Sequence, residues 1–464
     1  MATRYKVRFP DSASYEAALK EMNVKSSESL HTTKGGAKKA AAAHLLKNAP
    51  VNLRVQNSKR KIISVGVQPM LTAAEGARRL DSHLERLRKR FGAEIVPDVQ
   101  YSSGFEDIDE PVHPKHLAAQ KAALDARRAS AAKLAAKSRA PAPALDAAAA
   151  EKTQQSPSLA DILPIIGAEE AWAESKGEGV TVAVVDTGVS GKRPEFPQSK
   201  RVGQWQPIGD DAWTDTVGHG SMCACISVAT RDAGGVYNGV APAANLISCK
   251  TSFVDSELAA IYDYLTGLAT EKKMNIVATN SFGWSGGTPP PDDPNSDFIP
   301  ALNDAIAAGV KVVTAAGNDH QKVGGKPNSC APNSIWLAYK SRADVLVVAS
   351  CMTTLEMWFN SSRGPGQYFG KPDTGSKPDV TAPTLANGYV VYGDDVQQVL
   401  MWGTSGAGPQ VAGLAALLLS KKPDLSRDDL FNAIRKGAGP LSKKYNQTCM
   451  GSGMINCKKA LASI

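Results

Sequence analysis

From about residue 158 onward the chain repeatedly produces short, unbroken apolar runs: VTVAVVD (180–186), NLISCK (245–250), NIVATNSF (275–282), VKVVTAA (310–316) and DVLVVAS (344–350). Runs of this length without polar alternation, separated by helical stretches, predict parallel strands buried on both faces. In such sheets functional groups gather at the carboxyl ends of the strands. The first hundred residues follow another rhythm. RYKVRF (4–9) alternates, SYEAALKEM (14–22) has helical spacing and KIISVGV (61–67) is β-rich. TAAEGARRLDSHLERLRKRF (72–91) reads as an amphipathic helix and AEIVPDV (93–99) as a last short strand. Strand, helix, strand, helix, strand suits a small α/β sandwich with helices over one face of an antiparallel sheet. The tract 34–46 is expected to insert a further helix.

An Ala/Lys/Arg-rich helical segment (114–139) and the stretch APAPALDAAAAEKTQQSPS lie between these parts. Too little bulky apolar content is present there to pack, so the stretch reads as linker. The expected organisation is a small α/β domain over 1–104, a linker over 105–155 and a larger α/β domain over 156–464. Charge follows the same division: residues 1–150 hold 26 Lys and Arg against 15 Asp and Glu, and the rest hold 27 against 30. A basic third could touch nucleic acid, but no interleaving of aromatic and basic residues accompanies it, so a solvated helical face is preferred. No run is apolar and long enough for a membrane span, and the start MATRYKVRFPDSASYEAALK lacks the apolar core of a secretory signal. Seven cysteines sit at scattered spacings that fit no zinc site. Reduced thiols and a cytoplasmic location are the expectation.

Four polar residues stand at positions where chemistry collects. Asp186 closes the first apolar strand, His219 lies between two glycines in DTVGHGSMCACISVA, Asn318 ends VKVVTAAGND, and Ser405 opens the apolar helix of GTSGAGPQVAGLAALLLS. Singly, each has a structural reading: a loop carboxylate, a turn histidine, a turn asparagine, a helix-capping serine. Together they supply what acyl transfer from an amide requires. The hydroxyl needs a base, the imidazole needs a carboxylate to fix its tautomer, and the oxyanion needs donors, for which the Asn318 amide and the Ser405 N–H are suited.

With VAVVDTGV around Asp186, GHGS around His219, NGVAPAANL at 238–246, NSFG at 280–283, TAAGND around Asn318, FNSSRGP at 359–365, KPDVTAP at 377–383 and GTSGAGPQVAG around Ser405, the chain resembles the subtilisin-type serine proteases, or subtilases. The chain order Asp, His, Ser is that family's. The resemblance implies a three-layer α/β fold with a mostly parallel sheet. It implies a serine endopeptidase acting on protein or peptide substrates through Asp186, His219 and Ser405, with Asn318 and Ser405 as the oxyanion hole and no metal or organic cofactor in the chemistry. Ser281, Phe282 and Gly283 would pair with extended substrate, and Ala315, Ala316 and Gly317 with Gly283 would line the primary specificity pocket, whose small side chains suggest a large apolar substrate residue. The βαββαβ-like unit ending in RFGAEIVPDVQY resembles the family's inhibitory propeptide, a ferredoxin-like fold, so that the chain would be a zymogen cleaved after Tyr101 or in the linker. A permanent regulatory domain is the other possibility.

Several positions depart from the family pattern. Gly406, Ala407, Gly408, Pro409 and Gln410 replace Met-Ala-Thr-Pro-His, and Ser221 and Met222 replace Thr-His. Cys223 falls one helical turn after His219, as in a proteinase-K-like, thiol-sensitive subset, although a small core residue is the slightly preferred explanation. The loop PPPDDPNSDF (289–298) could hold calcium but reads better as a solvated surface loop. Two other functions would keep parts of this constellation: a peptide ligase or cyclase with the same triad, and a non-catalytic binding module.

Overall fold

In a computed structural model of the chain, the structure describes residues 4–22, 51–67, 84–101, 122, 126, 158–236, 238–283, 296–368, 371–372, 377–392 and 395–464. The expected helix at 34–46, nearly all of 114–139 and most of the acidic loop lie outside these residues.

Near the N-terminus, β1 (Arg4–Arg8), α1 (Ser12–Glu21), β2 (Val51–Asn57), β3 (Ile62–Val67) and β4 (Glu94–Pro97) form a four-stranded antiparallel sheet of order β2-β3-β1-β4, with residues 84–91 helical. Val7, Phe9, Tyr15, Leu19, Ile63, Val65 and Leu87 make its core. β2 is absent from the expected runs, although VNLRVQN alternates in sequence; an irregularity between Leu53 and Val55 sends Leu53 into the small-domain core and Val55 into the core of the larger part. It completes the βαββαβ order.

The larger part is built on seven strands: β5 (Val180–Asp186), β6 (Arg201–Trp205), β7 (Asn245–Lys250), β8 (Asn275–Asn280), β9 (Lys311–Ala315), β10 (Val345–Met352) and, after the short ladder of β11 (Gln367–Tyr368) and β12 (Lys371–Pro372), β13 (Val380–Thr384). Their order is β13-β10-β9-β8-β5-β7-β6, every neighbouring pair parallel. Helices α2 (His219–Val228) and α5 (Gly403–Lys421) cover one face; α3 (Asp255–Glu271) and α4 (Phe298–Ala307) cover the other. Both faces being buried explains why the strands read as continuous apolar runs.

The central helix α5 contains Pro409, which has no N–H to return to the carbonyl four residues earlier, that of Ser405. That carbonyl accepts instead from the Ser281 hydroxyl at 3.4 Å and the Cys223 thiol at 3.7 Å. The proline thereby ties the first turn of α5 to α2 and to the end of β8.

Cysteine pairing corrects one expectation. Cys330 and Cys449, 119 residues apart, form a disulfide, while Cys223, Cys225, Cys249, Cys351 and Cys457 are free and buried. The partners come from the segment after β9 and from a short C-terminal helix, a proximity no sequence spacing records. The argument for a cytoplasmic location from reduced thiols loses its basis, since disulfides persist chiefly in oxidising compartments. Among the described residues no helix is long and apolar enough to cross a membrane.

The small domain rests on α3 and α4. Lys6, fully buried, lies 2.7 Å from Asp255 and 3.1 Å from Asp297; Arg4 meets Glu257, and Arg60 meets Asp263 and Asp304. Beyond β4 the backbone runs antiparallel to the segment before α3: Tyr101 N–H donates to Phe253 O at 2.7 Å and Asp255 N–H to Val99 O at 2.9 Å.

Candidate active site

Asp186 ends β5, and its Oδ1 stands 2.7 Å from His219 Nδ1, with both residues fully buried. Thr187 N–H donates to the same oxygen at 2.8 Å. Close approach of backbones makes this pairing possible. Gly218, at φ 88°, turns the chain into α2 where most side chains would be strained, and a Cβ on Gly220 would collide with the Gly188 carbonyl. A second carboxylate fixes the turn: Asp215 accepts from Thr187 Oγ1 at 2.9 Å and from the N–H groups of Gly218 and Ser221 and the Ser221 hydroxyl, each at 2.8 Å. Ser221, a departure from the family pattern, accepts in turn from Ser190 N–H at 2.9 Å. It thus links the loop after Asp186 to the helix bearing His219.

Burial works against charge on His219, but Asp186, through its charge and its hydrogen bond, and Asp215 outweigh it and raise the imidazole pKa. With Nδ1–H held by Asp186, Nε2 is the basic nitrogen. Cys223 sits where its spacing predicts, its sulfur within 4.8 Å of the ligating atoms of Asp186 and His219. Burial, with Asp186 nearby, pushes its thiol pKa far up, so it stays a protonated neighbour rather than a nucleophile.

Ser405 is the third residue of α5 and buried. Its hydroxyl donates to the Ser281 carbonyl at 3.5 Å rather than to the imidazole, and bonds of the latter kind often form only when substrate is present. Asn318 follows β9, and its Oδ1 accepts from Thr404 N–H at 3.1 Å and Thr404 Oγ1 at 2.7 Å. These two bonds hold the amide by its oxygen and so fix which end carries the Nδ2 donors. A Cβ on Gly403 would lie 3.1 Å from Nδ2, and Gly403 has φ 59°. Thr404 and Asp215 are site residues that the sequence reading did not single out, although both lie inside its motifs.

Gly406 and Gln410 also have structural accounts. A Cβ on Gly406 would collide with Trp402, and Gln410 Nε2 donates to Gly406 O and Pro383 O, each at 2.7 Å. Ser281, Phe282 and Gly283 extend β8; Ala315 ends β9, followed by Ala316 and by Gly317 at φ 116°, whose N–H donates to Thr404 Oγ1 at 3.2 Å. The two segments leave adjacent strands side by side.

A profile of the subtilase family matches residues 177–453, more than half of the chain. The chain belongs to the subtilase family. It is a subtilisin-like serine endopeptidase, a hydrolase with protein or peptide substrates. Subtilisin DY of Bacillus licheniformis is 28% identical to this subtilase over 303 residues, covering 64% of this chain and 97% of the relative. Thermitase of Thermoactinomyces vulgaris is 29% identical over 299 residues, covering 64% and 93%. The structure of fervidolysin from Fervidobacterium pennivorans, described as a keratinolytic enzyme related to subtilisin, aligns with a TM-score of 0.54 at 19% identity, covering 100% of this chain and 61% of that one. That likeness is one of fold.

Proposed function

We propose that this subtilase cleaves peptide bonds by attack of Ser405 Oγ on the scissile carbonyl. His219 takes the proton and passes it to the leaving amine, and Asp186 holds the imidazole and stabilises its charged form. The observation that carries this reading is the buried 2.7 Å contact between Asp186 and His219, one helical turn from a thiol that bonds the Ser405 carbonyl. The Asn318 amide, oriented by Thr404, and the Ser405 N–H at the start of α5 receive the oxyanion, and water then hydrolyses the acyl-enzyme through the same histidine.

The small N-terminal domain controls access in this reading. Val99–Tyr101 lie against Phe253–Asp255, and the Tyr101 ring is 6.2 Å from that of Phe282, so the chain leaves the domain alongside the segment that would pair with substrate. The intact mass of wild type and Ser405→Ala after treatment with a fluorophosphonate tests the nucleophile: one adduct on wild type and none on the mutant is expected. An unlabelled wild type in which Tyr101→Pro is also unlabelled would defeat the proposal. Tyr101→Pro, which deletes the N–H donated to Phe253, is expected to speed labelling if the domain occludes the site. Asn318→Ala should lower kcat by about 10²–10³, and Thr404→Ala by about tenfold through the lost orienting bond.

A further inference from the structure

Beside the segment that extends β8 stands a residue with no counterpart among the sequence motifs. Tyr339 packs its ring 6.1 Å from that of Phe282 and sets its hydroxyl 3.1 Å from Thr314 Oγ1, and the next residue, Lys340, holds its ammonium 6.0 Å from the centre of the Tyr339 ring. The Lys340 ammonium lies 3.1 Å from where a Cβ on Gly283 would be. Gly283 has no side chain to cover it. The lysine is 1% exposed, and among the described residues no carboxylate comes within salt-bridge distance of it. Asp319 is the charge that acts on it, at longer range and on the far side of Gly317, where its Oδ2 lies 3.4 Å from a Cβ built there. Desolvation dominates and lowers the ammonium pKa to about 8.

A buried ammonium without a close counter-ion is costly, and the cost falls when a ligand brings the missing charge. If Gly283 and Ala315–Gly317 line the primary specificity pocket, as the resemblance to subtilases implies, the residue preceding the scissile bond enters beside this ammonium. Resting on that reading, we propose that Lys340 is the specificity determinant of this subtilase and selects substrates with glutamate or aspartate immediately before the scissile bond. Gly283, Ala315, Ala316 and Gly317 carry at most a methyl group, and the ammonium beside Gly283 sets the chemistry of whatever side chain enters among them. A carboxylate reaching it forms a charge-assisted hydrogen bond in a desolvated setting, where the isosteric amide forms a weaker one.

The test uses the full chain and three peptides that differ only in that residue: Glu, Gln and Phe. Fluorophosphonate labelling of Ser405 is followed on the same preparation. Glu should exceed Gln in kcat/KM by about tenfold to a hundredfold, and Lys340→Met should bring the ratio close to one while raising the relative rate on Phe. Equal or better cleavage of Gln or Phe by wild type overturns the inference, and this comparison stands whether or not the variant folds. A folded Lys340→Met with an unchanged ratio overturns it as well, leaving the lysine a purely structural prop. Labelling of Ser405 with no cleavage of any of the three peptides overturns the inference alone. Absence of both labelling and cleavage removes the catalytic reading beneath it.

Discussion

Two lysines of this subtilase are equally buried and differ in almost everything else. Lys6, in the small domain, sits between Asp255 at 2.7 Å and Asp297 at 3.1 Å. Lys340, beside Gly283 at the end of β8, has no carboxylate in contact among the described residues. Burial pushes both ammonium pKa values down; the two aspartates overcome it at Lys6 and raise that pKa, whereas at Lys340 burial prevails. Depth alone therefore does not assign a role to a buried charge. One lysine is completed by carboxylates of its own fold, whereas the other has the Tyr339 ring at 6.0 Å and Asp319 at longer range but no anion in contact among the described residues.

The largest effect should come from breaking the completed site. Lys6→Met leaves Asp255 and Asp297 buried, with Arg8 still on Asp297 at 2.9 Å; Asp255 keeps hydrogen bonds from Ser296 and the Asp297 and Phe298 N–H groups but, among the described residues, no other cation. Removing one partner of a buried pair costs about 3–5 kcal/mol, so the full chain should lose that much in urea unfolding, with the small domain released first. A loss below about 1 kcal/mol would mean that the cluster does not hold the domains together. The pH dependence of the two sites should also differ. With its folded pKa raised, Lys6 contributes its full stability below its unfolded value near 10.5, loses it progressively as pH rises from there to the raised folded value, and contributes none above that. Lys340 has a folded pKa of about 8 against 10.5 unfolded, so between these values the unfolded chain binds more protons and stability rises with pH. The stability of wild type relative to Lys340→Met should therefore climb by up to about 3 kcal/mol across that window. A flat difference would show that Lys340 is neutralised by a partner in the folded protein.

The sequence makes visible whatever lies within a short segment. Asp186, His219, Asn318 and Ser405 each sit at the end of an apolar run or the start of a helix, and the fold brings Asp186 to His219 and Asn318 to the first turn of α5, as their motifs suggest. The parallel sheet is equally legible, because strands buried on both faces leave unbroken apolar runs. Contacts between distant segments leave no such trace. Cys330 and Cys449 meet across 119 residues. Lys340, in the ordinary-looking string AYKSRAD, becomes exceptional only because Gly283, 57 positions earlier, presents no side chain to it. Lys6 reads as one basic residue on the outer face of an alternating strand, and only the docking of that face against Asp255 and Asp297 buries it. The strand Val51–Asn57 is a different case, since its alternation is present in the sequence and was open to recognition.

The smallest expected effect tests the ground of the comparison itself. Lys59 belongs to the same interface as Lys6 and has two carboxylates as well, Asp304 at 2.9 Å and Asp263 at 3.1 Å, but half of its side chain is exposed. Water already solvates that ammonium, so the pair gains little and is screened by salt. Lys59→Ala should cost no more than about 0.5 kcal/mol, a loss that disappears in about 0.5 M salt, whereas the loss from Lys6→Met should survive it. Both variants carry the same formal charge change at the same contact surface, so the contrast isolates desolvation from charge count. Were Lys59→Ala as damaging as Lys6→Met, the number of facing carboxylates rather than burial would govern these sites. Lys340 would then be an ammonium that the fold tolerates cheaply, with no pressure to recruit an acidic substrate residue.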